Sequence, residues 1–263
     1  MPASPDRKKT YFISDLHLGA AYIPDRIAHE RSVCAFLDEI APHAANIFLL
    51  GDILDYWYEY RYVVPKGYVR FFGKLAQLAD SGINIEWIIG NHDIWIFDYL
   101  PSELGIKVVD GSITRKIGSR KFFLAHGDGL GSDSAGFRFI RSLFRNKICQ
   151  KLFSGIHPRW TVPFAHKWSS ASRSSGNEEE NRRRLAATLD SLEAFCRRKL
   201  SQDPEINHFI FGHLHTLDQR KISAGADMTV IGDWITNFSY AEYDGNHLSL
   251  ISYPQDTEVM HKL

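Results

Sequence analysis

The chain has 263 residues, 44% of them apolar and 24% charged, with 31 basic and 31 acidic side chains. That length suits one large domain with a sizeable core, or two small ones. Balanced charge excludes a general polyanion binder, so any attraction to an anionic partner must come from a local patch.

The three cysteines, Cys34, Cys149 and Cys196, have no metal-type spacing and point to reduced thiols in a cytosol-like compartment. The start, Met1 to Lys9, lacks the apolar stretch of a signal peptide, and no apolar run is long enough to span a bilayer. The expected location is cytoplasmic, with room for attachment to a membrane surface.

In chain order, Thr10 to Ser14 reads as a strand that ends in Asp15-Leu16-His17. Positions two apart on an extended segment face the same way, so Asp15 and His17 are placed to grip one ion. Arg26 to Ile40 has helical periodicity, with Ile27, Val33, Phe36, Leu37 and Ile40 as its inner stripe. Asn46 to Leu50 is a short apolar run, the pattern of a buried parallel strand, and it delivers Gly51-Asp52-Ile53-Leu54-Asp55. Gly51 permits a sharp turn, and Asp52 then stands at the strand's carboxyl end, where open α/β sheets place ligands.

From Asp55 to Phe72 the chain is crowded with aromatics, read as core and loop packing or as an apolar wall beside a site. Lys66 to Ala79 is predicted helical. Asn84 to Ile89 is a third buried strand, delivering Gly90-Asn91-His92-Asp93. Short strands follow at Ile106 to Val109, Ser112 to Ile117 and Lys121 to Ala125, the last delivering His126-Gly127-Asp128. Asn207 to Phe211 delivers Gly212-His213-Leu214-His215, again with two histidines spaced to face one side. Strands at Met228 to Ile231, Phe238 to Tyr243 and His247 to Tyr253 close the chain, with Asp244-Gly245 as a hairpin signal.

The stretch Gly129 to Gly176 breaks this pattern. Between Ser134 and Asn177 it carries eight Lys or Arg and seven Phe or Trp, and no acid. Phe137, Ile140, Phe144, Ile148 and Leu152 recur at helical spacing and predict an amphipathic basic helix. It reads either as a helix packed on the domain with a solvated basic face or as a lid facing lipid or phosphate; single-stranded nucleic acid is a third occupant of suitable chemistry. Asn177-Glu178-Glu179-Glu180 resembles a capping box and opens a helix to about Leu200.

Five strands thus end in clusters of Asp, His or Asn. Oxygen and imidazole donors without thiolate suit Mn²⁺, Fe or Zn²⁺. Phosphoryl transfer favours two such ions about 3.5–4 Å apart, and a carboxylate shared between them is the natural centre. Asp52 is the candidate for that role.

With these motifs the sequence resembles the calcineurin-like metallophosphoesterases over nearly its whole length, Thr10 to about Pro254. The resemblance implies an α/β fold, a β-sandwich flanked by helices. It implies one domain over 10–254 with a helical lid inserted at 130–200 and flexible tails at 1–9 and 255–263. It also implies two divalent ions, Mn²⁺ first. Asp15, His17, Asp52 and His215 would hold one, and Asp52, Asn91, His126 and His213 the other. His92 would touch the phosphate and protonate the leaving group, with Asp55 orienting it.

Within that family the sequence is most similar to the UDP-2,3-diacylglucosamine pyrophosphatases of lipid A synthesis. Asp15-Leu16-His17-Leu18, His126-Gly127-Asp128 followed by Asp133-Ser134-Ala135-Gly136-Phe137, and the basic aromatic insertion carry that similarity. It implies hydrolysis of a nucleotide-sugar lipid by a hydroxide generated between the metals. The enzyme would work at the inner face of a membrane as a peripheral protein, with no nucleic acid partner. Asn91, His92, Asp133, Phe137, Ser170 and Arg173 would contact the substrate. Two positions depart from the pattern. His92 stands where many of those enzymes have arginine, and Phe137 where many have tyrosine. A phosphoesterase for another nucleotide or lipid phosphodiester is the alternative enzyme, and a scaffold that kept the fold without the chemistry is the alternative of a different class.

Overall fold

Two sheets face each other in the computed structural model, which describes residues 7–130, 141–164 and 178–254. The chain runs β1 (Lys9–Ile13), α1 (Arg26–Ile40), β2 (Ala44–Leu49), α2 (Val69–Asp80), β3 (Asn84–Ile88), α3 (Tyr99–Leu104), β4 (Lys107–Val109), β5 (Ser112–Ile117) and β6 (Arg120–Ala125). Then come α4 (Lys147–Ser154), α5 (Glu178–Gln202), β7 (Ile206–Phe211), β8 (Leu217–Lys221), β9 (Asp227–Ile231), β10 (Ser239–Tyr243) and β11 (Leu248–Ser252). The first sheet has the order β11-β10-β1-β2-β3-β4, the second β5-β6-β7-β9-β8. Strands β1 to β4 are mutually parallel, as are β6, β7 and β9, so in each sheet several carboxyl ends share one edge.

The apolar carboxyl-terminal halves of β1, β2 and β7 follow from burial on both faces. On β2, Ile47 and Leu49 point outward into a cluster with Val33, Phe36 and Leu37 of α1 and Phe71 and Leu75 of α2. Phe48 and the following Leu50 point inward, where Phe12 stacks between Phe48 at 5.4 Å and Phe122 of the opposite sheet at 5.5 Å. Behind the second sheet, Leu189, Leu192 and Cys196 of α5 pack on Phe123, Phe209 and Phe211. The layers are therefore helix, sheet, sheet, helix, the expected sandwich.

Helix α1 has the expected bounds because Asp25 caps it, its Oδ1 accepting from the amides of Ile27 and Ala28. Ile27, however, is 53% exposed and leaves the inner stripe to Ala28, His29 and Glu30. Helix α2 starts at Val69 rather than Lys66, since Tyr68 at φ 60° breaks the turn and its side chain makes no cap. Glu30 fills that role from α1, accepting from the amides of Arg70 and Phe71. The buried Glu59 does the same for α3, accepting from Phe97, Asp98 and Tyr99.

Three expectations need correction. The tail does not extend to residue 9, because Lys8 and Lys9 both donate to His43 O as β1 begins. The stretch 130–200 is not one lid, because α5 is a core layer of the second sheet. The apolar spacing from Phe137 to Leu152 is not one helix either. Among the described residues, helix 141–145 stops at Asn146, which has extended backbone and caps α4 through Ile148 and Cys149. Asn177, of the expected capping box, lies outside the described residues. No helix among the described residues is long and apolar enough to cross a membrane.

Candidate metal centre

The five clusters meet along one edge of the sandwich. Asp15 and His17 follow β1, Asp52 follows β2, Asn91 and His92 follow β3, His126 follows β6, and His213 and His215 follow β7. Backbone bonds lock the loops together: Asp15 N to Gly51 O, His17 N to Asp52 O, and Gly212 N to His126 O. The second sheet is tied to the first by His213 N, which donates to Asp15 Oδ2 at 2.8 Å.

Left-handed backbone, rather than strand alternation, aims the side chains. Asp15, His17, Asp52, His213 and His215 all have φ between 43° and 68°. Asp15 and His17 thus fall in one group without the extended backbone their spacing assumed, and the histidine pair divides between two groups. His215 joins Asp15 and His17 in one group, whereas His213 joins Asp52 and His126 in another. Gly51 has φ 88°, and a Cβ there would lie 2.6 Å from His126 Nδ1. A Cβ on Gly90 would collide with the carboxylate and the backbone nitrogen of Asp52.

Three imidazoles are held by Nδ1, so that Nε2 points inward. His126 Nδ1 bonds Leu50 O at 2.8 Å, His17 Nδ1 meets Asp55 Oδ1 at 3.3 Å, and His215 Nδ1 meets Asp233 Oδ2 at 3.1 Å. The inward Nε2 atoms then face carboxylates. His17 and His215 lie 3.7 and 3.4 Å from Asp15 Oδ1, and His126 lies 3.3 Å from Asp52 Oδ2 and 3.2 Å from Asn91 Oδ1. Asp52 Oδ2 is also 3.8 Å from His17 Nε2, which puts this oxygen between the two groups. Donor atoms each about 2.0–2.2 Å from one ion lie at roughly such separations from each other. Asp15 Oδ1 is buried without a hydrogen-bond partner among the described residues, an arrangement a bound cation relieves. The residues present fit a pair of divalent ions.

The carboxylates and imidazoles of the two groups shift one another's protonation. Burial pulls the His17 imidazole down, but Asp15, Asp55 and Asp52 outweigh it and hold it at about 9. Burial likewise opposes His126, yet Asp52 raises it well above the ordinary value. Asp52 would be driven up by burial, but His126, His92 and His17 hold it well below the usual carboxylate range. His213, buried and beside His126, is lowered to about 4 and so stays neutral. Neutral imidazole and ionised carboxylate are the ligand forms, so Asp52 and His213 already have them, whereas His17 and His126 must release a proton to bind an ion.

Asp55 and His92 sit beside this cluster. His92 Nδ1 bonds the Asp55 backbone carbonyl at 3.0 Å, with the carboxylate 3.5 Å away, while His92 N donates to Asp52 Oδ1 at 2.8 Å. The Asp55 side chain is thus shared between His17 and His92. Asp93 accepts from Gly90 N, Ile53 N and Trp87 Nε1, joining the β2 and β3 loops. Asp128, buried, accepts from Arg141 Nε at 2.7 Å and pins helix 141–145 beside the site.

The family model for calcineurin-like phosphoesterases matches residues 8–217. The chain belongs to this family. The match spans every cluster of the site, and the family implies divalent metal ions. A UDP-2,3-diacylglucosamine hydrolase of Porphyromonas gingivalis is 39% identical over 256 residues, covering 94% of this chain and 98% of its own length. A UDP-2,3-diacylglucosamine hydrolase of Ralstonia nicotianae is 28% identical, covering 91% of this chain and 88% of its own. A solved phosphoesterase from E. coli superposes with a TM-score of 0.44 at 18% identity, covering 93% of this chain and 92% of its own.

As a calcineurin-like phosphoesterase, the chain brings together all seven candidate ligands with His92 and Asp55. Asp133, Phe137, Ser170 and Arg173 lie outside the described residues. Asp233 was missed, although Gly232-Asp233 after the apolar run to Ile231 repeats the pattern of Gly51-Asp52.

Proposed function

We propose that this phosphoesterase hydrolyses the pyrophosphate of UDP-2,3-diacylglucosamine to UMP and 2,3-diacylglucosamine 1-phosphate. The observation that carries the chemistry is the convergence of imidazole Nε2 atoms on Asp15 and Asp52. The substrate is supported by relatives named for it over nearly the whole chain. Asp15, His17, Asp52 and His215 hold one ion, and Asp52, Asn91, His126 and His213 the other; Mn²⁺ is the expected metal, and Fe or Zn²⁺ suits the same donors. Bound there, the pair supplies hydroxide at neutral pH and neutralises charge on the phosphoryl oxygens.

The protein's residues do the rest. Nδ1 of His92 is held by the Asp55 carbonyl, and Nε2, 3.9 Å from Asp52 Oδ2, faces the phosphoryl group. In the imidazolium form, which burial disfavours and the Asp52 and Asp55 carboxylates favour, His92 gives its Nε2 proton to the departing oxygen as the bond from the uridine-side phosphorus to the bridging oxygen breaks, and is left as the neutral Nδ1–H imidazole. The oxygen leaves with the lipid phosphate.

A cavity of about 630 Å³ starts at Leu18 and Gly19, immediately after His17, and runs between Tyr56, Tyr60, Val63 and Val162. Its apolar wall suits an acyl chain, each buried CH₂ being worth about 0.8 kcal/mol. Val162 belongs to the basic, aromatic segment, whose Ile148, Leu152, Trp160 and Phe164 are 61–72% exposed. We assign this segment as the lid and its exposed apolar side chains, with Lys147, Lys151 and Arg159, to the cytoplasmic face of an anionic inner membrane.

The test is incubation with UDP-2,3-diacylglucosamine and Mn²⁺ in ¹⁸O water, with mass spectrometry of the products. Label in UMP is the expected result. Label in the lipid phosphate would place the attack on the other phosphorus. Cleavage of a soluble phosphodiester with none of the glycolipid would favour the alternative, a phosphoesterase for another nucleotide or lipid phosphodiester. His92 in place of arginine is the feature that favours it.

A further inference from the structure

The turn between β9 and β10 grips the first ligand group at three points. Asp233 Oδ2 lies 3.1 Å from His215 Nδ1, Asn237 Nδ2 donates to His215 O at 3.2 Å, and Trp234 N donates to Asp15 O at 3.1 Å. The turn is itself rigid. Asp233 Oδ1 accepts from the amides of Ile235, Thr236 and Asn237, and Ser239 Oγ donates to Ile231 O at 2.7 Å. Trp234 is fully buried, with ring centroids 4.8 Å from Phe36 and 5.6 Å from Tyr253.

His215 needs such a holder more than the other ligands of its group. The side chains of Asp15 and His17 are fully buried, so packing fixes them, whereas the His215 side chain is 30% exposed. An imidazole with one open face keeps its orientation only if a hydrogen bond sets it. Asp233 is 96% shielded at its side chain and offers a carboxylate oxygen, an acceptor alone, to Nδ1. That selects the tautomer with Nδ1–H and leaves the lone pair of Nε2 directed at Asp15.

We propose that Asp233 is the positioning residue of the first metal site, fixing the tautomer and orientation of His215 and thereby the affinity of one of the two ions. The proposal rests on the two-ion reading of the site. Asp233 touches neither the substrate nor an ion, and acts only through His215.

The discriminating substitution is Asp233→Asn, which is isosteric. Its oxygen still serves the three turn amides, while its NH₂ now faces His215 Nδ1. Donation from that group favours the tautomer with Nε2–H, which has no lone pair for a metal. Zn²⁺ is titrated into metal-free full-length protein against a chromophoric chelator, and activity is read at limiting and at saturating metal. The expected result is one ion weakened about 10–100-fold and the other unchanged, with kcat restored at saturating metal. Asp233→Glu, which can still accept from Nδ1, should recover part of the affinity. Unchanged affinity for both ions in Asp233→Asn would overturn the proposal and leave the two-ion reading standing. Equal loss of both ions would assign Asp233 to the fold alone and also overturn it. Wild-type protein that takes up no Zn²⁺ would refute the metal reading, and the proposal with it.

Discussion

Metal affinity should climb with pH, because His17 is charged in the metal-free protein. Its imidazole sits at about 9, held there against burial by Asp15, Asp55 and Asp52. At pH 7 the charged form therefore dominates, and displacing the proton costs on the order of 3 kcal/mol. The ion at Asp15, His17 and His215 should therefore bind about tenfold more tightly per pH unit from 7 to 9, and level off above 9. His126, raised well above its ordinary value by Asp52, adds a second slope for the other ion.

The sign for stability is opposite in the metal-free form. A raised folded value means the His17 ion pairs stabilise the fold fully below about pH 6.5 and are lost as pH rises through about 9. Metal-free and metal-loaded protein should thus diverge in melting temperature as pH increases. Chelator competition from pH 6.5 to 9.5 reads the affinity, and calorimetry in buffers of different ionisation enthalpy counts the protons released. Affinity that stays flat between pH 7 and 9, or binding with no proton release, would refute the charge assignment.

Asp52→Ala should lose both ions and nearly all turnover, since Asp52 Oδ2 faces ligands of both groups; two ions retained per chain in elemental analysis would remove its shared role. His92→Ala should keep the metals and slow turnover by about 10²–10⁴-fold. Lost metal, or an unchanged rate, would contradict its assignment outside the ligand set. Gly90→Ala should disrupt metal loading while the core strands still form, because the added methyl collides with Asp52 and not with an apolar neighbour. Normal loading in a folded Gly90→Ala protein would mean that the β3 loop yields at no cost to Asp52.

What the sequence made legible were features with a local cause. Both-face burial makes the carboxyl-terminal halves of β1, β2 and β7 apolar, β3 differing only in Glu86, which Arg115 pairs, and the strand ends are marked by Gly, Asp and His. Strand β8, Leu217–Lys221, escaped notice because it is a polar edge strand with alternating exposure and no apolar run. Helix α3 is six residues long, with Pro101 inside it, and is held by Glu59 from a distant loop. The spacing of Phe137 to Leu152 suggested one helix because periodicity does not register a cap, and Asn146 supplies one inside the pattern. Asp55 was assigned to His92 alone, whereas its carboxylate also reaches His17, a contact between two loops that no spacing encodes.

The least legible feature is also the one that makes the site. Seven described non-glycine residues have positive φ, and five of them are candidate ligands. Such conformations cost on the order of 1 kcal/mol or more each, so they persist only where surrounding structure imposes them. Here the imposing contacts run between loops. Asp15 and His17 donate to the carbonyls of Gly51 and Asp52, and His213 donates to Asp15. Four of these five strained ligands are therefore held partly by another ligand's loop, and His215 by the turn between β9 and β10. The same contacts that impose the strain bring Nε2 atoms and carboxylates to within 3.3–3.8 Å of each other. The parallel strands bring the loops to one edge, and only the cross-bonded left-handed turns convert that shared edge into two converging donor groups. Loosening one loop's backbone should for this reason perturb ligands delivered by another, whereas a change confined to one imidazole's tautomer, as in Asp233→Asn, leaves the cross-bonded turns in place and the other group intact.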